Sequence, residues 1–151
     1  MKKSIDLKKG VDFIGVTCVF YCHDGKGNLL MHKRSKNCRD EHGRWDCGSG
    51  SMEHGEIFEE AVKREIKEEY CVTPKKIQFC GVNNVLRFHK KKRTHWVALL
   101  FVALVDPKKC KIGEPEKMDE IGWFPLTKLP KPLHSMIRPH LKMVRSGGAK
   151  I

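Results

Sequence analysis

The chain has no apolar run of the roughly 20 residues that a membrane-crossing helix needs. Its seven cysteines, Cys18, Cys22, Cys38, Cys47, Cys71, Cys80 and Cys110, are odd in number and contain no C-x-x-C pair. That spacing speaks against a zinc site and against the disulfide framework of small secreted chains, so the thiols are expected to be reduced and mostly buried as small hydrophobes. The eight histidines show no H-E-x-x-H or comparable ligand pattern, and none is assigned to a metal. No internal repeat or low-complexity linker is present, so no repeat architecture is expected. Met1-Lys2-Lys3-Ser4 leads into Ile5-Asp6-Leu7-Lys8-Lys9 without the apolar stretch of a secretory signal. A cytoplasmic location and no membrane partner are the expectations.

What is present suits one domain spanning 1–151, long enough for a core of its own, with 146–151 as a frayed tail. Thirty Lys and Arg against 18 Asp and Glu leave a formal charge of +12. Such a surface attracts polyanions, which makes nucleotides the expected substrate class and RNA a conceivable partner. The densest basic run, Lys90-Lys91-Lys92-Arg93, lies between two apolar segments and reads as a solvated hairpin loop.

β-Branched and aromatic residues from Val11 to Tyr21 predict a strand, and Asp24-Gly25-Lys26-Gly27-Asn28 is a turn that returns the chain along Leu29–Arg34. A polar stretch from Ser35 to Gly50 follows, with Trp45 as its one large anchor. From Ile57 to Tyr70 there is no Gly or Pro and helix formers dominate, so this segment is a helix. Pro74 forbids its continuation. Ile77–Leu86 reads as a strand, His95–Val105 as a central strand buried on both faces, Ile121–Phe124 as a short strand and His134–Val144 as a last helix. Strands on both sides of a helix, with a second helix at the end, favour a mixed sheet between helices.

The helix carries the chemistry. Counting from Gly50, five residues lead to Glu56, and seven more lead to Arg64-Glu65-Ile66-Lys67-Glu68-Glu69-Tyr70-Cys71-Val72. Glu65, Glu68 and Glu69 fall at i, i+3 and i+4 and so share one side of the helix, where they repel one another by a few tenths of a kcal/mol per pair. Clustered carboxylate oxygens are the donors that hard divalent cations choose, and Mg²⁺ keeps waters and bridges to phosphates. Phe58, Ala61, Val62 and Ile66 occupy an overlapping arc, which puts the carboxylates at the margin of the buried side. Glu56 and Arg64 read as a structural pair that holds the preceding loop on the helix.

This pattern resembles the Nudix box, G-x5-E-x7-R-E-U-x-E-E-x-G-U with U aliphatic, of hydrolases that act on nucleoside diphosphates linked to a further group X. The resemblance implies a Nudix-type α/β/α sandwich with a mixed β-sheet. It also implies Mg²⁺- or Mn²⁺-dependent hydrolysis of a nucleotide pyrophosphate bond, with a nucleoside triphosphate or nucleoside diphosphate-X as substrate. Glu65, Glu68 and Glu69 would be the catalytic and metal-binding carboxylates, and Gly50, Glu56 and Arg64 the structural residues of the motif. The carbonyl at the position of Ser49 often ligates metal in such proteins. Relatives that act on nucleoside triphosphates often carry a stretch like Glu114-Pro115-Glu116-Lys117 before a Trp, and Glu116 is taken as its metal-reaching acid. Arg34, at the end of the hairpin strand, is a candidate phosphate ligand.

Two positions depart from the pattern. Gly48-Ser49-Gly50 replaces the common Pro-Gly-Gly, and Cys71 stands where the box has Gly, just past the helix, where left-handed backbone is frequent. The competing expectations are a catalytically weak module that binds a nucleotide or RNA in the same cleft, and an RNA-decapping enzyme.

Overall fold

The computed structural model describes residues 5–151, so the reading of the first four residues lies outside the described part. Strand β6 (Lys92–Leu104), the most apolar segment, lies inside the sheet, and Ala98 to Ala103 are buried without a break. On one side it pairs in parallel with β1 (Gly15–His23), from Gly15↔Trp96 to His23↔Leu104. On the other it pairs antiparallel with β5 (Lys76–His89). Three strands complete the far half: β2 (Asn28–Arg34), β3 (Trp45–Asp46) and β7 (Met118–Pro125), with β3 and β7 each antiparallel to β2. The short β4 (Gly48–Ser51) pairs with β1, from Thr17↔Ser51 to Phe20↔Gly48. One parallel pair among antiparallel ones makes a mixed seven-stranded sheet.

Alternation along the central strands divides the core in two. Cys18, Phe20 and Cys22 of β1, with Leu99, Phe101 and Ala103 of β6, pack under Ala61, Val62, Ile66 and Tyr70 of helix α1 (Phe58–Tyr70). Val19 and Tyr21, with Leu100 and Val102, pack under Ile137, Leu141 and Val144 of helix α2 (Ile137–Ser146). The result is the α/β/α sandwich. No helix among the described residues is long and apolar enough to cross a membrane. All seven cysteines are free, and four of them are buried.

The structure moves several boundaries. The first strand begins at Gly15, not Val11, because Lys8–Phe13 folds into a turn closed by the Gly10 N–H on the Phe13 carbonyl at 2.7 Å. The indole of Trp96 lies flat on Gly10 and Gly15, where a Cβ would overlap the ring. Helix α2 starts at Ile137, since His134 and Ser135 are spent on tertiary hydrogen bonds: the His134 N–H reaches the Trp45 carbonyl at 2.8 Å. β7 extends past Ile121–Phe124 at both ends because it runs along all of β2. The last residues, expected as a frayed tail, turn back so that Ala149 and Ile151 pack against the α2-side core. The basic run forms the hairpin tip, with Lys90 and Lys91 at φ 46 and 63.

Candidate active site

Helix α1 is reached through the glycine-bearing strand β4. A Cβ on Gly50 would collide with the Glu65 carboxylate, and one on Gly48 with the Phe20 ring, so both positions admit only hydrogen. Arg64 then straps the following loop to the helix. Its Nε donates to Glu56 Oε1 at 2.6 Å, and its Nη2 to Glu56 Oε2 at 3.0 Å and to the Ser51 carbonyl at 3.3 Å. These bonds hold the Glu56 carboxyl down at about 2. The same guanidinium orients Glu65, donating from Nη1 to its Oε1 at 2.7 Å, and reaches Glu68 Oε2 at 3.4 Å.

The three helix carboxylates differ in environment. Glu68 has a half-exposed side chain. Glu65 is partly buried, and desolvation raises it above the ordinary carboxylate range against the pull of Arg64. Glu69 is only 6% exposed. The Ser49 N–H approaches its Oε1 at 3.4 Å, while Oε2 is buried with no partner. Burial pushes Glu69 far above the ordinary range, and Glu114 is the first of the charges that add to it. An unpartnered carboxylate oxygen in the interior is costly, and clustered carboxylates compound the cost. A divalent cation removes both penalties, so the donor set fits one.

Glu69 and Ser49 line a cavity of about 220 Å³ together with His32, Asn37, Glu114 and Lys117. Arg34, Arg39, Asp46, Cys47 and Ser49 also belong to a neighbouring cavity of about 260 Å³. The floor of that second cavity is apolar, with Val19, Val85, Trp96, Ala98, Met136 and Ile137. A charged compartment, with Asp46, Glu69 and Glu114 facing Arg34, Arg39 and Lys117, therefore opens beside an apolar one.

Two candidate residues stand differently from the sequence reading. The acid that joins Glu69 is Glu114, not Glu116. Glu116 is exposed, and its contribution is its carbonyl, which accepts from Ser35 Oγ at 2.6 Å and Asn37 Nδ2 at 3.0 Å. Arg34 does lie in the wall of both cavities, but its guanidinium is already held by Asp40 Oδ1 and Asp46 Oδ2, each at 3.0 Å, and by the Asp40 carbonyl. A phosphate would have to share these donors.

Other residues of the site carried no sequence signal. His32 Nδ1 lies 2.7 Å from the Tyr70 hydroxyl, both side chains are buried, and burial lowers His32 to about 4. Glu41, at φ 48, accepts from the Ser135 N–H and Oγ at 2.9 Å, from Arg87 Nη2 at 2.8 Å and from His134 Nε2 at 2.7 Å. Among the described residues, Asp40, Glu41 and His134 bring three donor atoms within 4.8 Å of one another, a set that a divalent cation could use. The α1 carboxylates do not close to that distance here. Pairing separates the two places: Arg34 and Arg87 already form ion pairs with Asp40 and Glu41, whereas Glu69 Oε2 has no hydrogen-bond partner.

A mixed sheet between two helices, with a carboxylate helix strapped to a glycine-bearing strand beside an apolar cavity, is an α/β/α sandwich that gathers its acidic groups on one helix. The chain belongs to the NUDIX family: the NUDIX domain matches residues 13–145. It is 30% identical to the human 8-oxo-dGDP phosphatase NUDT18 over 140 residues, which cover 91% of this chain and 39% of that protein. The chain thus spans less than half the length of that relative. It is 35% identical over 103 residues to the ADP-ribose pyrophosphatase of Methanocaldococcus jannaschii, covering 68% of this chain and 57% of that one. Among solved structures, a MutT NUDIX hydrolase from Burkholderia pseudomallei superposes with a TM-score of 0.76 at 28% identity, covering 87% of this chain and 98% of its own.

Proposed function

We propose that the chain hydrolyses the pyrophosphate bond of a nucleoside di- or triphosphate, or of a nucleoside diphosphate-X, with Mg²⁺ or Mn²⁺ held by Glu65, Glu69, Glu68 and Glu114 and by the Ser49 carbonyl. The observation that carries this reading is the buried, unpartnered Glu69 Oε2 on the wall between Ser49 and Glu114. A bound ion would neutralise phosphoryl charge and lower the pKa of its water. The chain's own groups do the rest. Arg64 fixes Glu65 and the Gly50 hydrogen leaves room for that carboxylate, while one of the glutamates that the ion leaves free would take the proton of the attacking water. The apolar cavity suits a nucleobase, which would place the phosphates over the charged compartment of Glu69 and Glu114. Names of the relatives favour a purine nucleoside diphosphate or its X-linked derivative.

A panel of nucleotides, nucleotide sugars and capped RNA, incubated with and without Mg²⁺ or Mn²⁺ and read by product mass, tests this. Metal-dependent release of a nucleoside monophosphate is expected. A ligand-induced thermal shift without any product would establish a binding module instead. Metal alone should raise apparent stability by about 2.7 kcal/mol at 100 times its Kd. A Glu65→Gln/Glu68→Gln/Glu69→Gln variant that keeps the whole shift would place the ion elsewhere, with Asp40, Glu41 and His134 next in line.

A further inference from the structure

The β5–β6 hairpin runs on past the sheet. β1 pairs with β6 up to Gly15↔Trp96, while β5 and β6 pair with each other as far as His89↔Lys92. The two faces of this arm differ. Val85, Arg87 and Thr94 line the apolar cavity. Leu86 and Phe88 alternate onto the opposite face, the side on which Val82 pairs with Leu99, and each is 71% exposed. Helix α1 packs on β1 and β4 and leaves that side of the arm bare.

More apolar surface borders it. The turn before β1 adds Phe13 and Ile14 and the start of α1 adds Ile57 and Phe58, so that all six side chains are between 46% and 71% exposed. Two hydrogen bonds tie these segments together: the His95 N–H donates to the Gly10 carbonyl and the Met52 N–H to the Val16 carbonyl. Single exposed apolar residues are ordinary, whereas a cluster of this size marks an interaction surface. Six large side chains about half exposed present on the order of 500–600 Å². With flanking charges the patch approaches the ~800 Å² per partner of a standard interface.

Charge says what covers it. Lys90, Lys91, Lys92 and Arg93 at the arm's tip are exposed and have no carboxylate partner among the described residues, Arg93 lying over the Phe88 ring at 5.7 Å. Glu59 and Glu60 in the first turn of α1 are exposed and lack a basic partner among the described residues. A basic tip beside Leu86 and Phe88, and an acidic turn beside Ile57 and Phe58, are complementary halves of one surface. A two-fold axis lets each half meet the other twice. An anionic lipid surface would attract the tip and repel Glu59 and Glu60. The repulsion between two chains of +12 is screened over about 8 Å at physiological salt, so contacting pairs outlast it.

We propose that this end of the molecule is a homodimer interface, in which the β5–β6 arm of each copy docks on the first turn of α1 in the other. Because the other face of the arm walls the apolar cavity, assembly also fixes that wall.

Sedimentation velocity of the full chain over a range of concentrations at ~0.15 M salt tests the proposal. The expected result is a reversible species of twice the 17.4 kDa chain mass. Leu86→Glu/Phe88→Glu should weaken association at least ~10-fold while far-UV circular dichroism and Tm stay near wild type. Glu59→Lys/Glu60→Lys and Lys91→Glu/Lys92→Glu should each weaken it, and the two pairs together should restore it. A wild-type chain that stays monomeric at every concentration overturns the proposal, as does a combined variant weaker than both pairs. Binding of the monomer to phosphatidylserine vesicles, lost in Leu86→Glu/Phe88→Glu, would assign the surface to lipid instead.

Discussion

The Glu41 carboxylate and the His134 imidazole meet at 2.7 Å, one from the loop after β2 and the other from the turn before α2, and His134 belongs to the wall of the apolar cavity. Glu41 also gathers Arg87 and both donors of Ser135, so a single side chain ties together two residues of the cavity wall, Arg87 and His134. It does so at φ 48, a backbone region that costs a non-glycine residue about 1–2 kcal/mol.

That clamp predicts a split in the kinetics. Glu41→Ala leaves the α1 carboxylates untouched and removes the nearest partner of Arg87 and of His134, each a charge-assisted contact worth about 1.5–3 kcal/mol. KM should rise at least ~10-fold with kcat within a few-fold of wild type, in steady-state assays on whichever nucleotide the panel identifies. An unchanged KM would show that the cavity does not hold substrate.

Glu114 and Glu116 give a direct contrast within one loop. Glu114→Gln should lower kcat by at least ~10²-fold, the loss typical of a positioned catalytic group, and Glu69→Gln should do the same. Glu116→Gln should stay near wild type, since its side chain faces solvent while its carbonyl keeps Ser35 and Asn37 in place. The reverse ranking would restore Glu116 as the metal-reaching acid.

Cys71 ends α1 at φ 57, ψ 25, with its N–H on the Lys67 carbonyl at 3.0 Å. Glycine takes this conformation without the Cβ penalty, so Cys71→Gly should stabilise the fold by about 1 kcal/mol and raise Tm by roughly 2–4 °C. Cys71 is exposed, so little packing is lost. Differential scanning calorimetry of the two proteins decides it, and a lower Tm in the variant would contradict this account of the helix end.

The stability that His32 contributes should be lost in a defined acid window, against the opposite contribution of Glu65 and Glu69, whose carboxyls burial raises. His32 titrates at about 4 in the fold against an ordinary 6.5, chiefly because it is buried. The unfolded chain therefore takes up a proton that the native one refuses, and the stability present above pH 6.5 is lost as pH falls towards 4. The full loss is about 3 kcal/mol. Burial lowers His23 and His140 in the same direction, and Glu56, held down at about 2, acts only below pH 4.5. In urea titrations between pH 7 and 4.5, His32→Asn should flatten the slope, and an unaltered slope would assign it to the other two histidines.

Helix α1, the β1–β2 hairpin and the buried strand β6 could be read from the chain because their signals are local: helical period, a glycine-rich turn, an unbroken apolar run. The Glu56–Arg64 pair was legible for a related reason, since Glu56 lies just ahead of the helix and Arg64 fewer than two turns into it. The choice between Glu114 and Glu116 had no such basis. Gly113 makes it: its N–H donates to the Glu69 carbonyl at 2.8 Å, and its missing side chain lets the loop touch the Glu68 carbonyl. That docking delivers the next residue, Glu114, to the cavity of Glu69. Arg34 was likewise out of reach, because Asp40, on the loop after β2, and Asp46, on the two-residue strand β3, belong to segments too irregular or too short to show a period.

The sequence by itself therefore determined the layered fold and the carboxylate helix, both of which follow from patterns repeated every two or 3.6 residues. Tertiary structure alone decided which carboxylate is buried without a partner, which acid of the later loop meets it, and that Glu41 clamps the apolar cavity. Those outcomes depend on long-range contacts: Ser49 against Glu69, Gly113 against the end of α1, and the loop after β2 against the turn before α2. No local period encodes such contacts, because each is selected by which surfaces remain to be covered once the two cores have packed.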